Sequence, residues 1–421
     1  MLPYSVHEQL FPLEIGSNFK TIRFFYCTIY TMLVLTVLSL ACLSLGVLSA
    51  PLVERVSSSL NQFALQKVLS DASPIFGPYS KNTTDTAEWM KKYPDSTLLV
   101  HMNLPGTHET ATWNYSLATQ QSLSGITALD GGEPVYAPEV FRCQDLPIIA
   151  MLNAGIRVFD MRFAFDITNT TLVFWHSQAL QSQTATVEDV LFGFYHWLDD
   201  HPCETILLSF QYEGSTTAYA SNNADVQLAI FNTLTSPVAK KYFLQTQNEF
   251  GTLGQARGKI TLLRRFNLDQ LPASYSAAIP GIYFSPSLWS DNDPDISLTY
   301  NTAQNLTAYI EDFYEVDLPS GTPASVAIDA KYNATTAHLT KAATQYPDSL
   351  FWSFASAEGV SNVPPETPEI MAVGNGTLTP NGGVNQRLVR FLEGLKGKRV
   401  GIVMFDYFEI PGNLVEVFLG L

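Results

Sequence analysis

Several strand-like stretches in this chain are continuous apolar runs rather than alternating ones, as expected of strands buried on both faces. Strand candidates are read at 97–102, 157–163, 171–175, 205–210, 259–263, 308–316, 350–354 and 399–404, several of them such runs. Helical patterns fall between several of them. Thr186 is placed to cap TVEDVLFGFYHWLDD, with Asp189 three residues on, and Val187, Val190, Leu191, Phe194, Trp197 and Leu198 then share one face. A second amphipathic helix is read over 384–395, with Val384, Leu388, Leu392 and Leu395 inward and an end before Gly397. Strands buried on both faces need helices on the outside. The pattern over 85–421 therefore predicts an α/β fold, a single (β/α)8 TIM-type barrel with room for irregularity and long loops around 114–140 and 357–383.

The N-terminal part obeys a different rule. Residues 24–50 form an uncharged stretch of 27 residues, longer than the roughly 20 needed to span a bilayer and than the about 7–15 apolar residues of a signal peptide. Lys20 and Arg23 flank its start and orient that end toward the cytosol. The expected organisation is a short cytosolic tail (1–23), a transmembrane signal anchor or signal peptide (24–50), a stem (51–84) and the barrel (85–421). Either version of 24–50 places the barrel outside the cytosol, membrane-anchored with a lumenal or extracellular domain, or secreted. N-x-S/T sequons at Asn82, Asn114, Asn169, Asn305, Asn333 and Asn375, all downstream of the run, agree with that. Cys143 and Cys203 are the only cysteines in this part; a disulfide and two buried thiols are equally open.

A net charge of −16 and the lack of a Lys/Arg cluster exclude nucleic acid as a partner. The same balance argues against electrostatic docking on anionic lipid, so the N-terminal helix is the expected membrane attachment. Oligomeric state is left open.

Chemistry collects at the strand ends, where a barrel of this kind places its active groups. His108 and Glu109 follow the first strand, Asp160 and Arg162 lie at the end of the second, and His176 ends the third. Glu213 follows the fourth, Arg264 and Arg265 end the fifth, Asp312 and Tyr314 lie on the sixth, and Asp406 ends the eighth. Strand alternation sends one of Arg264 and Arg265 inward, and Arg265 is favoured. Two imidazoles beside a fixed cation suit phosphodiester transfer: one takes a proton from the nucleophile, the other returns one to the leaving oxygen, and the cation steadies the phosphorane. His7, His101, His196, His201 and His338 have no such partners and are read as structural or surface residues. Trp175 and Trp289 are read first as core, with the pocket mouth as the alternative.

The segments LPGTHET (104–110), FRCQDLPIIAMLNAGIRVFDMRF (141–163), LVFWHS (172–177), ARGKITLLRRF (256–266) and RVGIVMFDYFE (399–409) resemble the X-domain phosphatidylinositol-specific phospholipases C, in their metal-independent bacterial and fungal form. The likeness spans roughly 85–421. It implies an inositol phospholipid or glycosylphosphatidylinositol-like substrate cleaved through a cyclic inositol phosphate. By the same resemblance His108 is the general base, Asp406 its partner, His176 the general acid and Arg162 the phosphate ligand, with Glu109 beside them. Asp160, Glu213, Arg265, Asp312 and Tyr314 are implied as substrate contacts. Calcium-dependent animal members look to have a carboxylate where Arg162 stands, so no metal and no other cofactor is expected. Two positions depart from the bacterial pattern: Glu109 replaces an aspartate, and Gln211 replaces a lysine. Alternatives are an inactive barrel that binds lipid or inositol phosphate, and a glycerophosphodiester phosphodiesterase, which would want a metal-binding carboxylate cluster.

Overall fold

The computed structural model describes residues 60–126, 136–214 and 221–420. The apolar run at 24–50 and the tail before it lie outside these residues. Among the described residues no helix is long and apolar enough to cross a membrane.

Eleven strands are present among the described residues: β1 (Leu104–Thr107), β2 (Val158–Phe165), β3 (Leu172–His176), β4 (Ala179–Leu180), β5 (Ile206–Tyr212), β6 (Ile260–Arg265), β7 (Ile282–Tyr283), β8 (Ile296–Asn301), β9 (Leu306–Glu311), β10 (Leu350–Phe354) and β11 (Ile402–Phe405). The hydrogen-bonded order is β7-β6-β5-β2-β1-β11-β10-β9-β8. All neighbours on this path are parallel except β8 on β9. β7 and β8 end the path, so the barrel is nearly closed rather than laddered all round.

The inward positions change character along each strand. On β2 they run Val158, Asp160, Arg162; on β5, Leu207, Ser209, Gln211; on β11 and just beyond, Ile402, Met404, Asp406. The lower barrel is filled by Leu104, Val158, Leu207, Leu263, Ile310, Trp352 and Met404, and the charged residues sit above that apolar plug. Gly106 is fixed by the same packing. A Cβ there would lie 2.5 Å from the Met404 sulfur and 2.9 Å from the Val158 Cβ, so only glycine lets β1 pass between β11 and β2.

Outside the barrel, α1 (Leu60–Phe76), α2 (Ile148–Ala154), α3 (Val187–Asp200), α4 (Ala224–Thr235), α5 (Ala324–Thr344) and α6 (Val384–Glu393) are the main helices. The Thr186–Asp189 capping box forms as expected at the start of α3. Helix α6 ends at Glu393, a few residues before the expected stop.

Five expectations change. The run at 97–102 is not a strand: Leu99–His101 is a single 3-10 turn, and Leu99 and Met102 pack under the barrel, so the first strand starts at Leu104. The run ending in His176 is not a barrel strand but pairs antiparallel with the outer end of β2 and with β4. The sixth segment stops at Glu311, which leaves Asp312 and Tyr314 on the loop that follows. Strands β7 and β8 were not expected. β7 is two residues long, and β8 alternates buried Ile296, Leu298 and Tyr300 with exposed Ser297 and Thr299, the pattern of a strand with one wet face. Finally, the segment read as a stem supplies α1, whose Ala72, Ile75 and Phe76 join the core and whose Phe76 ring meets Phe194 of α3 edge-on at 5.4 Å. The packed unit therefore begins before residue 85. No disulfide joins Cys143 and Cys203.

Candidate active site

A cavity of about 610 Å3 opens at the C-terminal end of the parallel strands. His108, Arg162, His176, Glu213, Arg265, Asp312, Tyr314 and Asp406 line it. Glu109 and Asp160 lie directly beneath, each buried.

His108 leaves β1 with its backbone N–H bonded to the Phe405 carbonyl of β11. Its Nδ1 is 2.9 Å from Asp406 Oδ1, and its Nε2 is 3.1 Å from Arg162 Nη2. A guanidinium only donates, so Nε2 is the acceptor and Nδ1 carries the proton toward Asp406. Burial, with Arg162 next, holds the imidazole well below its ordinary pKa, so His108 rests neutral. Burial, with Glu109 next, pushes the Asp406 carboxyl well up. Charge is costly for Asp406, and protonation of His108 is what would make its anion easier to hold.

Arg162 is the hub. Its Nε lies 2.7 Å from Glu109 Oε1 and 3.3 Å from Asp160 Oδ2, and its Nη1 lies 3.6 Å from Glu213 Oε2. His108, Glu109 and Asp160 offer ligand atoms within 4.8 Å of one another, a spacing suited to a cation. The guanidinium already reaches all three. A metal ion there would compete with a built-in positive charge.

Glu109 follows His108 in the left-handed region (φ 41°), an unusual conformation for a side chain of this size. It turns the carboxyl under the two histidines: Oε1 is 3.8 Å from His176 Nε2. Burial outweighs the pull of Arg162 and pushes its pKa up to about 8. His176 arrives from the β3–β4 hairpin, its Nδ1 donating to the Phe141 carbonyl at 2.8 Å, so Nε2 faces the site. Burial, with Arg162 next, lowers it to about 4. The two imidazole rings are 6.3 Å apart. Glu213 is raised to about 7, again mainly by burial.

Of the paired arginines, Arg265 faces the cavity and Arg264 stacks on Tyr283 at 4.1 Å. Arg265 lies 3.9 Å over the Trp289 ring and 3.5 Å from Asp160 Oδ1, while Trp289 Nε1 donates to Asp312 Oδ2 at 2.6 Å. Tyr314 donates to Asp291 at the rim. Trp289 thus lines the cavity, whereas Trp175 is fully buried core. Gln211 lines the cavity too. His338 and His201 are buried and hydrogen-bonded elsewhere, as structural histidines.

Two supporting residues had no signal in the sequence. Gln144 Nε2 donates to the His108 carbonyl (2.8 Å) and the Phe405 carbonyl (2.9 Å), tying the ends of β1 and β11 together. Asn385 on α6 donates to the carbonyls of Asp406, Tyr407 and Ile410 at 2.8–3.1 Å and shapes the turn that aims Asp406. Both act by donating to backbone carbonyls, and those bonds exist only once the chain is folded.

The chain is similar in sequence and fold to known proteins. A 1-phosphatidylinositol phosphodiesterase of Staphylococcus aureus (strain Newman) is 23% identical over 332 residues, covering 77% of this chain and 89% of that protein. The enzyme of the same name from Listeria monocytogenes is 26% identical over 188 residues, 44% of this chain and 50% of that one. The mouse PI-PLC X domain-containing protein 1 is 29% identical over 166 residues, 36% of this chain and 47% of its own length. With the latter two, the match spans about half the relative. A solved structure of phosphatidylinositol-specific phospholipase C from Staphylococcus aureus aligns with a TM-score of 0.59 at 18% identity, over 80% of this chain and 97% of that one. The Listeria monocytogenes enzyme aligns at 0.52 and 21% identity, over 79% and 98%. At these identities the structural match establishes a shared fold. No family model matches the chain.

Proposed function

We propose that this chain, similar in sequence and fold to the phosphatidylinositol-specific phospholipase C X-domain family, is a phosphoric diester hydrolase that cleaves an inositol phospholipid or a glycosylphosphatidylinositol-like lipid. The observation that carries the reading is the hydrogen-bonded line Asp406–His108–Arg162, continued by the Arg162–Glu109 ion pair at 2.7 Å, with His176 Nε2 3.8 Å from the same Glu109 oxygen.

In the proposed reaction the phosphate draws the Arg162 guanidinium to itself and frees His108 Nε2. That nitrogen takes the proton of the inositol 2-hydroxyl as its oxygen attacks phosphorus, and Asp406 offsets the imidazolium charge. Arg162 neutralises the equatorial oxygens of the phosphorane. The bond to the glycerol oxygen then breaks, and that oxygen needs a proton. His176 at about 4 is a poor resting store of one, whereas Glu109 at about 8 is protonated at neutral pH. The pair therefore works as one acid, His176 passing on a proton that Glu109 holds. The products are diacylglycerol and a cyclic inositol phosphate. Asp160, Glu213, Arg265, Asp312 and Tyr314 would grip the headgroup. Arg162 fills the cation position, so the proposed chemistry uses no metal. The apolar run at 24–50 would hold the barrel at a membrane outside the cytosol.

The test is incubation of the full chain with phosphatidylinositol and identification of a cyclic phosphate by phosphorus NMR. His108→Ala and His176→Ala should each remove turnover by about 10²–10⁴-fold while leaving the fold intact. Retained cleavage in either variant overturns the assignment. Binding of inositol phosphate without product by the unmodified chain would instead favour the inactive-barrel reading, for which Glu109 in place of the family's aspartate is the specific observation. Activity lost to EDTA would point to the glycerophosphodiester alternative.

A further inference from the structure

One group in the cavity wall has no part in the proton relay: the thiol of Cys143. It belongs to the segment before α2, is fully buried from bulk water, and borders the cavity. Its sulfur, a ring nitrogen of His108 and a carboxylate oxygen of Asp406 all lie within 4.8 Å of one another. Thiolate, imidazole and carboxylate are the donor set that soft divalent cations of the zinc class select.

Two features separate this cluster from the neighbouring His108–Glu109–Asp160 group. That group already has the Arg162 guanidinium bonded to it, whereas Arg162 reaches this one only through His108 Nε2, leaving the Nδ1 side to Asp406. Asp406 is also 1% exposed, and its second oxygen, Oδ2, has no hydrogen-bond partner. A buried carboxylate oxygen left unpaired is costly, and a cation would satisfy it. Ligands of a tetrahedral zinc ion sit about 3.5 Å apart, so side-chain movements of about 1 Å would close the set, with the cavity supplying a water as fourth ligand.

We propose that Cys143, His108 and Asp406 form a site for a soft divalent cation, zinc or cadmium, whose occupancy shuts the enzyme down. The inhibitory half rests on the proposed function. A metal on His108 and Asp406 replaces the hydrogen bond between them and leaves the base unable to accept the hydroxyl proton. A hard cation such as Mg²⁺ has no affinity for the thiolate and should not act.

The test is Cd²⁺ titration of the full chain, followed by the ultraviolet thiolate-to-cadmium absorption band, with Zn²⁺ inhibition of phosphatidylinositol cleavage measured in parallel. C143S should lose one equivalent of the band. It should also resist Zn²⁺ at least about tenfold better than the unmodified chain, a loss on the scale expected for one ligand. C143A serves the same purpose if C143S does not fold, with the thermal melt reporting on folding. An unchanged band or unchanged Zn²⁺ sensitivity in the folded cysteine variant overturns the proposal. If the chain cleaves no phosphatidylinositol, the proposed function fails, and the band alone still decides the metal site.

Discussion

Glu109 is the residue on which the proposed chemistry turns. Its identity is legible in the sequence, next to His108, but its role is not. The left-handed backbone at φ 41° and complete burial decide that it meets both Arg162 and His176. Because its pKa is raised to about 8, the folded state holds a proton that the unfolded chain releases near its ordinary value of 4.5. This group therefore contributes stability below about pH 4.5 that is lost as pH rises through about 8. Glu109→Gln should flatten that decline, measured as the denaturation midpoint against pH. As the proton store of the proposed acid, Glu109 also sets an alkaline limb: kcat/KM should fall above about pH 8. In Glu109→Gln, turnover should drop by about 10²-fold or more and that limb should vanish. A limb that stays near pH 8 in this variant would assign it to another group.

At the scale of elements, the helices were the more readable part. The Thr186–Asp189 capping box is a local device, complete within four residues, and it forms as read. Thr186→Ala should cost about 1 kcal/mol by chemical denaturation with cleavage unchanged. Strands fared less well because an apolar run does not say which neighbour it pairs with. Leu98 to Met102 is as apolar as the true strands, yet it packs under the barrel without a ladder. The stretch ending in His176 is a real strand on the wrong partner, an antiparallel hairpin rather than a barrel stave. Turn geometry beyond β11 depends on the distant Asn385. Asn385→Ala leaves three backbone carbonyls without their donor, and should lower kcat more than it changes KM, since it acts through Asp406 rather than on substrate. An unchanged kcat would reduce Asn385 to a purely structural bond.

At the scale of the molecule, chemistry and stability occupy opposite ends of the barrel. The lower end carries a buried ion pair, Arg157–Glu204 at 2.7 Å, with Arg157 4.9 Å from the Trp197 ring. Removing one partner, as in Glu204→Gln, should destabilise by about 3–5 kcal/mol without touching headgroup selectivity. Compartment is a whole-chain question as well. Of the six sequons, the asparagines at 114, 169, 305, 333 and 375 are exposed. Full-length protein made in a eukaryotic secretory system should shift in mobility on enzymatic deglycosylation. No shift, with the protein recovered from cytosol, would remove the extracytosolic assignment.

The sequence alone determined which residue types stand at the ends of buried strands. Alternation on a pleated strand puts every second side chain on the same face, so Val158–Asp160–Arg162 and Ile402–Met404–Asp406 could be read as apolar below and charged above. Gly106, in the PGTH segment, belongs to the same grammar. What tertiary structure decided is how those ends meet. Arg162 on β2 meets His108 and Glu109 beyond β1 and Glu213 beyond β5, while His176 reaches Glu109 from a hairpin. The Asp406 turn is held by Asn385, on a helix 21 residues earlier in the chain. Such contacts depend on barrel closure and on donors aimed at backbone carbonyls, and neither leaves a periodic trace in the order of residues. The burial that moves Glu109 and His176 away from their ordinary pKa values is likewise a property of the packed molecule alone.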